Sequence, residues 1–348
     1  MRYVIIGAGA VGGTIGVRLA QAGHDVTLVA RGPHLAAIRE RGLTLHAPAG
    51  DVTVRLPALD GPDERPLPAD TVLMLTVKSQ DTEAALRSWA DAPVAGGGTA
   101  GERLPLCTAQ NGVGNERAAL RWFARVYPVC VWLPATHLEP GVVVANGHPH
   151  PGMLHLGRYP AGGTDTTADD SIREIAADLA GAGFVAPVRD DVMRWKYGKL
   201  LRNLGNGVDA LFGRTAPEQL QTRVTEEGEA VLAAAGISHT TRAEEQAERG
   251  DRVRHVPVAG RERSGSSTWQ SLARGVGSTE ADHLNGEIVL LGRLHGVPTP
   301  ANTAVQIAVR RAARERIPAG GYPLAELART LPAELGGLTG DAGVNPAG

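Results

Sequence analysis

Hydrophobic and polar positions at the start of the chain follow the order strand, helix, strand. Residues 3–6 form a short apolar run, residues 11–22 carry apolar side chains at helical spacing, and residues 26–29 form a second apolar run. Gly23 follows the helical segment, as expected of a glycine that ends a helix. This order within so short a stretch predicts a parallel βαβ unit.

Later apolar runs separate an α/β half of the chain from a helical half. Further buried strands are predicted at residues 71–77, 104–109, 129–133, 142–145 and 153–156, with a helix at 81–89. Residues 184–188 are interpreted as the last strand of this half. Beyond residue 190 the apolar spacing is helical, at residues 191–204, 222–235, 280–295 and 302–317.

These patterns predict an α/β fold with an N-terminal Rossmann dinucleotide-binding domain and an all-helical C-terminal domain. The length of 348 residues also favours two domains over one, at about 150 residues each. We place the first domain at residues 1–188 and the second at residues 189–330. Residues 331–348, which are rich in small side chains, are interpreted as a flexible tail.

Composition and charge exclude several classes of protein. The 35 basic and 37 acidic residues leave a net charge of −2, so nucleic acid and membrane surfaces are poor candidates for partners. No apolar run approaches the roughly 18 residues that cross a bilayer. Only Cys107 and Cys130 are present, which excludes a disulfide scaffold. We expect a cytoplasmic protein, and the sequence leaves open whether it forms a homodimer.

The turn between the first strand and the first helix has the sequence of a dinucleotide-binding loop. Its glycines permit a tight turn, close approach of a pyrophosphate, and close packing of helix on strand, and the helix N-terminus faces the anion. The strand before it and the helix after it make the motif far more specific than a glycine pattern alone. The predicted cofactor-binding residues of the turn are Gly7, Gly9, Ala10, Val11 and Gly12.

Arg31 follows the second strand, where NAD-specific sites usually carry an acidic residue that binds the ribose 2′-hydroxyl. A guanidinium is a permanently charged fork suited to a 2′-phosphate. We therefore predict NADPH (NADP⁺) as the cofactor in preference to NADH. The alternative is that Arg31 is an ordinary solvated surface residue.

Polar side chains with chemical potential occur at two strand ends and on one helix. Lys78 and Asn111 follow predicted strands, so they are expected on the same rim as the glycine turn. In the helical half, Lys199, Asn203 and Asn206 share one helix face at about 100° per residue. Lys196 is a competing candidate for the functional lysine, although it points about 60° away from Lys199 at 100° per residue.

Taken together, these motifs resemble the ketopantoate reductase (2-dehydropantoate 2-reductase) family, in order from residue 1 to about residue 316. Two further motifs in the helical half contribute to the resemblance. The motifs are the glycine turn, Val77-Lys78-Ser79, Gln110-Asn111-Gly112, the segment from Lys199 to Asn203, Ser266-Ser267-Thr268-Trp269-Gln270, and the segment from Ser278 to Gly286.

The resemblance implies an active site in the cleft between the two domains and an NADPH-dependent reduction of a 2-oxo acid. Lys199 is then the general acid and Glu280 the carboxylate near it. Asn203, Asn206 and Ser267 would hold polar groups of the substrate. Lys78 and Asn111 would position both substrate and nicotinamide. The implied pathway is pantothenate biosynthesis, with ketopantoate or a related 2-oxo compound as substrate.

Departures from the family pattern cluster on the substrate side. Family members usually carry a second helical Asn eight residues after the lysine, where this chain has Gly207, with Asn206 one residue earlier. An Asn often found three residues before Ser267 is replaced by Ser264, and the usual Gln-Asp after the serine pair is Gln270-Ser271. We therefore expect the reductase chemistry to hold more firmly than the identity of the substrate.

Other polar clusters are interpreted without catalytic roles. His148, His150 and His155 lie close together, but no nearby acid or cysteine completes a metal site, and none is predicted. Two acidic runs, Glu226, Glu227 and Glu229, and Glu244, Glu245 and Glu248, read as solvated helix faces.

Two other functions remain open at this stage. One is a β-hydroxyacid dehydrogenase, which has a similar plan but which the motifs at Ser267 and at Thr279-Glu280 disfavour. The other is a non-catalytic regulator that binds NADPH.

Overall fold

The computed structural model describes residues 1–162, 166–258, 265–275, 277–332, 335 and 337. Most of the predicted tail at 331–348 and the residue Ser264 lie outside the described residues. Within the described part, every helix is too short or too polar to span a bilayer.

The chain divides into two compact units. The first contains Met1–Lys196 and Thr240–Arg263, and the second contains Tyr197–His239 and Ser264–Gly348. The division falls inside one helix, after Lys196, and so lies later than the boundary predicted at residue 188. The first unit also includes Thr240–Arg263, a segment from the half of the chain that was predicted to be helical. The domain limits 1–188 and 189–330 stay a prediction.

Within the described residues, the strands all lie in the first unit and form three sheets. They are β1 (Arg2–Ile6), β2 (Asp25–Val29), β3 (Leu43–His46), β4 (Val52–Val54), β5 (Ala58–Leu59), β6 (Thr71–Leu75), β7 (Pro105–Thr108), β8 (Arg125–Trp132), β9 (Ala135–Thr136), β10 (Val142–Ala145), β11 (Gly147–Pro149), β12 (Met153–Leu156) and β13 (Val253–His255).

The largest sheet has the order β12-β8-β7-β6-β1-β2-β5. All its neighbours are parallel except β12, which runs antiparallel to β8 at the edge. The chain passes from β1 to β2 on one side and later to β6 on the other, so the strand order reverses at β1. Ligands of open α/β sheets bind at such a switch point, beyond the carboxyl ends of the strands.

The helices of the first unit cover this sheet or lie in the returning segment. They are α1 (Ala10–Gln21), α2 (Gly32–Arg41), α3 (Thr82–Ala90), α4 (Ala100–Arg103), α5 (Asn115–Ala119), α6 (Thr166–Gly181) and α10 (Arg242–Arg249). The central strands read as continuous apolar runs because both faces of the sheet are covered; β6, for example, is buried along its whole length. The predicted Rossmann fold class is thereby confirmed for this unit.

Helix α7 (Val192–Asn203) begins in the first unit and ends in the second. The second unit is helical throughout its described residues, and α8, α9, α12 and α13 pack on one another. Its helices are α8 (Gly205–Phe212), α9 (Glu218–Ala234), α11 (Ser267–Ala273), α12 (Asn285–His295), α13 (Pro300–Glu315) and α14 (Leu324–Ala328). This confirms a helical C-terminal domain.

Three predicted elements differ from the structure. Residues 184–188 form only isolated bridges, Val185 to Met153 and Val188 to Leu156, and not a strand. The helix predicted at 280–295 is a short 3-10 turn, Glu280–His283, followed by α12, because the backbone at Leu284 leaves the helical region (φ −113°, ψ −90°). The helix predicted at 191–204 ends at Asn203.

Candidate active site

The glycine turn after β1 is held against the end of β2. The N–H groups of Gly7 and Ala8 donate to the carbonyl oxygen of Val29, at 3.1 and 2.9 Å, and Gly7 has a φ of 109° that favours glycine. A Cβ on Gly12 would collide with the Gly7 carbonyl oxygen and the Thr76 hydroxyl. At Gly9, in contrast, an added Cβ meets nothing within 4 Å. Gly9 therefore serves no packing need inside the protein, and its open side fits the approach of a pyrophosphate to the N-terminus of α1.

The two glycines should respond differently to substitution. We expect Gly9→Ala to leave the melting temperature close to wild type but to weaken NADPH binding by about tenfold or more, because its methyl group occupies space needed only by the ligand. Gly12→Ala should instead lower the melting temperature, since its methyl group overpacks the turn and lowers the free energy of unfolding by about 1–3 kcal/mol. Calorimetry and NADPH titration measure both effects. Strong destabilisation by Gly9→Ala would contradict the assignment.

Two side chains that the sequence analysis did not identify support this turn. The Thr76 hydroxyl donates to the Gly7 carbonyl oxygen at 2.8 Å. His34 accepts a hydrogen bond from the Gly141 N–H through Nδ1 at 2.9 Å, so its other ring nitrogen, Nε2, donates to the Ala8 carbonyl oxygen at 2.7 Å. The position of Thr76 at a strand end was a usable signal, whereas His34 has no local sequence signature.

Arg31 lies on the same edge, at the residue that precedes α2. Its side chain is 80% exposed, and Nη2 pairs with the Asp81 carboxylate at 2.9 Å. Because only one of the nitrogens is engaged by Asp81 and the group is exposed, the guanidinium is accessible to an anion. The binding of a 2′-phosphate by Arg31 stays a prediction.

Lys78 and Asn111 lie in two loops that are bonded to each other. Lys78 precedes a short 3-10 turn (Ser79–Asp81) after β6, and Asn111 follows β7. The carbonyl oxygen of Asn111 accepts from Asn115 Nδ2 at 2.9 Å and from the Ser79 hydroxyl at 3.3 Å. Both side chains are half-buried. The structure thus places these two predicted residues on adjacent strand-end loops of the first unit.

The two lysines of α7 have different environments. Lys196 is 3% exposed and forms an ion pair with the buried Glu116, while Lys199 is half-buried. A lysine that is buried in an ion pair is poorly suited to exchange protons with a substrate. Lys199 shares a helix face with Asn203 four residues later, and its predicted role as general acid stays a prediction.

Asn206 lies in α8, and Leu204, the single residue between α7 and α8, keeps helical backbone angles (φ −61°, ψ −34°). The shared face of Lys199, Asn203 and Asn206 therefore stays a prediction. At this junction the Leu204 carbonyl oxygen accepts from Asn285 Nδ2 at 3.1 Å, and Gly205 follows. Gly207 faces the α13 side chain of Val305, whose Cγ1 would lie 2.6 Å from an added Cβ. An Asn is therefore excluded at position 207 by the packing of α8 on α13.

Ser267 is positioned through its neighbour Ser266. The N–H of Ser266 donates to the Asp209 carboxylate at 2.8 Å, and its hydroxyl donates to the Asn206 carbonyl oxygen at 3.1 Å. Ser266 also caps α11 by accepting from the Trp269 N–H at 3.2 Å. The structure therefore brings Asn206 and the serine pair together in the second unit, and it adds Asp209, which the sequence analysis missed.

Glu280 is 4% exposed, in the short turn that Thr279 caps. Burial lowers the pKa of the Arg274 guanidinium, and the charge of Glu280 opposes that shift. Glu280 therefore lies within electrostatic range of Arg274, a residue without a role in the sequence analysis. Glu280 is thus a buried carboxylate whose charge acts on a nearby cation of the same unit.

Some interpretations of the other polar clusters need correction. Glu227 and Glu245 are buried, each 3% exposed, and are not solvated. Glu227 accepts backbone hydrogen bonds, and Glu245 accepts from the Thr240 hydroxyl at 2.9 Å. Glu248 is also largely buried, with its carboxylate 2.6 Å from Arg189.

The three histidines are separate in their contacts. His148 is exposed, and His150 bonds through Nδ1 to the Gly183 carbonyl oxygen at 2.8 Å. His155 is fully buried beside the Trp195 ring, and burial, together with the charge of Arg189, lowers its pKa to about 4. Within the part of the chain that the structure describes, no three His, Cys, Asp or Glu side chains gather to hold a metal ion.

The first unit has a mostly parallel sheet with a glycine turn at its switch point, and this turn leaves space for a ligand at Gly9. The helical unit that follows carries a half-buried lysine. These features together define an oxidoreductase that uses a nicotinamide dinucleotide. Comparison with known families agrees with this class. The family model of ketopantoate reductase PanE/ApbA matches residues 3–161, and the model of its C-terminal domain matches residues 191–313. The chain belongs to the ketopantoate reductase family.

Several relatives match this chain over nearly their whole length. The 2-dehydropantoate 2-reductase of Mesorhizobium japonicum is 32% identical over 340 residues, which cover 91% of this chain and 99% of the relative. The crystal structure of a PanE/ApbA family ketopantoate reductase from Ralstonia eutropha JMP134 is 29% identical, with a TM-score of 0.71, and covers 91% of this chain and 99% of the other. A ternary structure of D-mandelate dehydrogenase with NADH and anilino(oxo)acetate has the same fold, at 22% identity and a TM-score of 0.73 over 90% and 98% of the two chains.

Membership of the family fixes the reaction class. The chain is an NADP-dependent oxidoreductase that acts on a CH–OH group and reduces a 2-oxo acid to the 2-hydroxy acid. A small-molecule 2-oxo acid is accordingly its partner.

Proposed function

We propose that the chain reduces ketopantoate or a closely related 2-oxo acid, with Lys199 as the proton donor. The observation that carries this assignment is the different use of the two lysines in α7. Lys196 is committed to the buried carboxylate of Glu116, whereas Lys199 is half-buried, with Asn203 on the same face. The greater exposure of Lys199 supports its assignment, of these two lysines, as the proton donor.

The proposed roles follow from the charge that develops during reduction. Bound NADPH supplies the hydride that adds to C2 of the substrate. The carbonyl oxygen then gains negative charge, and the Lys199 ammonium stabilises that charge and transfers a proton to give the 2-hydroxyl group. Glu280, as a carboxylate, favours the protonated form of a nearby amine, so that Lys199 regains a proton from the solvent after each turnover.

The remaining predicted residues bind and orient. Asn203, Asn206 and Ser267 carry amides and a hydroxyl that match the polar groups of a hydroxylated 2-oxo acid. Lys78 and Asn111 orient the substrate and the nicotinamide from the strand-end loops of the first unit. On the cofactor side, Gly7, Gly9, Ala10, Val11 and Gly12 form the turn that receives the pyrophosphate.

The replacement of the usual helical Asn by Gly207 is the main reason to test the substrate directly. NADPH consumption should be measured with ketopantoate, with linear and branched 2-oxo acids, with an aromatic 2-oxo acid, and with oxo-lactones. Turnover of ketopantoate with the highest kcat/KM places the chain in pantothenate biosynthesis. Preference for another 2-oxo acid overturns the ketopantoate assignment and keeps the reductase class.

The two rival functions predict other outcomes, namely oxidation of a different class of substrate or no consumption of NADPH. A β-hydroxyacid dehydrogenase oxidises 3-hydroxy acids with NADP⁺, and a regulator binds NADPH without consuming it. Failure of every 2-oxo acid to drive NADPH oxidation would overturn the proposed function.

Arg31 should determine the choice between NADPH and NADH. We expect Arg31→Ala to weaken NADPH binding by roughly 10- to 100-fold, since charge-assisted bonds to a phosphate contribute about 1.5–3 kcal/mol, and to change NADH binding little. Arg2→Ala is a matched control, because Arg2 also pairs with an aspartate, Asp25, but lies at the opposite end of β1. Equal losses of affinity for both cofactors would show that Arg31 does not bind the 2′-phosphate.

We also propose that the enzyme works in the cytoplasm, where a reducing environment keeps thiols free. Cys107 and Cys130 are both free and buried, and burial raises the pKa of Cys107 to about 12. Light scattering of the purified protein would determine whether it forms a homodimer.

A further inference from the structure

A buried lysine that the proposed chemistry does not use contacts the loop that carries Asn111. The Lys196 side chain is 2% exposed and the Glu116 side chain 0% exposed, and the two form an ion pair through Nζ and Oε1. Lys196 Nζ also donates to the carbonyl oxygen of Gln110 at 3.2 Å. The Thr108 hydroxyl donates to the same Glu116 oxygen at 2.8 Å.

Such a pair is an expensive way to stabilise a fold. The desolvation of two buried charges usually offsets most of their attraction, and apolar residues of similar volume often stabilise a core as well or better. The ion pair instead orients the Lys196 ammonium, which donates a charge-assisted hydrogen bond to the carbonyl oxygen of Gln110, the residue that precedes Asn111.

The loop that receives this bond is connected to the loop of Lys78. Gln110 Nε2 donates to the Val77 carbonyl oxygen and to the Thr82 hydroxyl, both at 2.8 Å. The Thr82 hydroxyl in turn donates to Asn115 Oδ1 at 2.9 Å. Displacement of the peptide between residues 110 and 111 would therefore disturb both strand-end loops.

The composition of the chain points to the same site. Of its 35 basic residues, three are lysines, Lys78, Lys196 and Lys199, and the other 32 are arginines. Arginine thus provides the cation almost everywhere, and lysine occurs where a compact ammonium with three donors is used. Two of the three lysines are assigned to the proposed active site. Lys196 is the remaining lysine, and it has no assigned role.

We infer that Lys196, paired with Glu116, is a positioning residue that fixes the Gln110 carbonyl group and thereby the orientation of Asn111 toward the reacting groups. This inference rests on the proposed function, in which Asn111 contacts substrate and nicotinamide. The ion pair acts through the backbone of the loop and does not touch the substrate.

The test replaces the pair by uncharged residues of similar size, Lys196→Met with Glu116→Gln, so that no buried charge is left unpaired. We expect kcat to fall roughly 10- to 100-fold, as for a small misplacement of a catalytic group. The matched control is Arg194→Met with Glu244→Gln. It removes an ion pair of the same helix that joins Arg194 to α10, and Gln keeps the cap of that helix, so kcat should stay at the wild-type value.

A double-mutant cycle with Asn111→Ala separates positioning from general loss of structure. If the pair acts through Asn111, its removal should lower kcat by less than about twofold when Asn111 is already Ala. The same fold-loss in both backgrounds, or a wild-type kcat in the paired variant, would overturn the inference. Thr108→Val is a milder variant that removes one bond to Glu116; its smaller loss of kcat should likewise disappear in the Asn111→Ala background.

Amide hydrogen exchange gives a readout that does not depend on turnover. In the variant Lys196→Met with Glu116→Gln, exchange should accelerate in residues 110–116 and stay unchanged in β1 and β2. Unchanged exchange in residues 110–116 would refute the inference even if no substrate were known. A wild-type enzyme that turns over no 2-oxo acid would refute the proposed function, while accelerated exchange in 110–116 would still establish the anchoring of the loop.

Discussion

Replacement of Lys199 by Ala should lower kcat by about 10²- to 10⁴-fold, the usual contribution of a positioned general acid, and leave the dissociation constant of NADPH unchanged. The expectation follows from the position of Lys199 on α7, half-buried and one helical turn before Asn203. Without the ammonium, the oxygen that accumulates negative charge has neither a stabilising cation nor a proton source. Stopped-flow measurement of NADPH oxidation and fluorescence titration of NADPH give the two quantities separately.

Arg202→Ala is a suitable control for this variant. Arg202 lies in the last turn of the same helix and is half-buried, so its replacement tests whether any cation of α7 is required. We expect kcat to remain within about twofold of wild type for Arg202→Ala. Comparable losses for the two variants, or a Lys199→Ala enzyme with wild-type kcat, would remove Lys199 from its catalytic role.

The sequence was informative where the functional signal is local. The glycine turn could be predicted because the strand, the turn and the helix are contiguous, and the polar residues Lys78 and Asn111 could be placed because strand ends of a parallel sheet share one edge. The turn after β1, the order of the first elements and the change to a helical unit were all found in the structure.

Features that depend on distant partners were not predictable in this way. The ion pair between Lys196 and Glu116 joins residues 80 apart in sequence and has no local sequence signature. The hydrogen bond from Asn285 to the Leu204 carbonyl oxygen, at the junction of α7 and α8, joins residues 81 apart in sequence and likewise has no local sequence signature. The scarcity of lysine was a usable signal in the composition, and it marks Lys196 before any contact is known.

Glu227 shows most clearly how tertiary contacts override a surface pattern. Its neighbours Glu226 and Glu229 make the run look solvated, but the Glu227 carboxylate accepts from the N–H groups of Ala301 and Asn302, at 2.9 and 3.0 Å. It also accepts from Asn302 Nδ2 at 2.9 Å. Helix α13 begins without a cap from its own Thr299 side chain, so a carboxylate from α9 satisfies its first amides and the positive end of its dipole.

Replacement of Glu227 by Ala should therefore lower the free energy of unfolding of the helical unit by about 3–5 kcal/mol, because two buried N–H groups lose their acceptor at about 1–3 kcal/mol each and a cavity forms. Glu227→Gln keeps one acceptor oxygen and should lose less. Glu226→Ala is the matched control: that side chain is 57% exposed, so its loss should stay within about 0.5 kcal/mol. Urea denaturation followed by circular dichroism measures the difference. A Glu227→Ala protein as stable as Glu226→Ala would mean that the amides of α13 find other acceptors and that the carboxylate is not the cap of this helix.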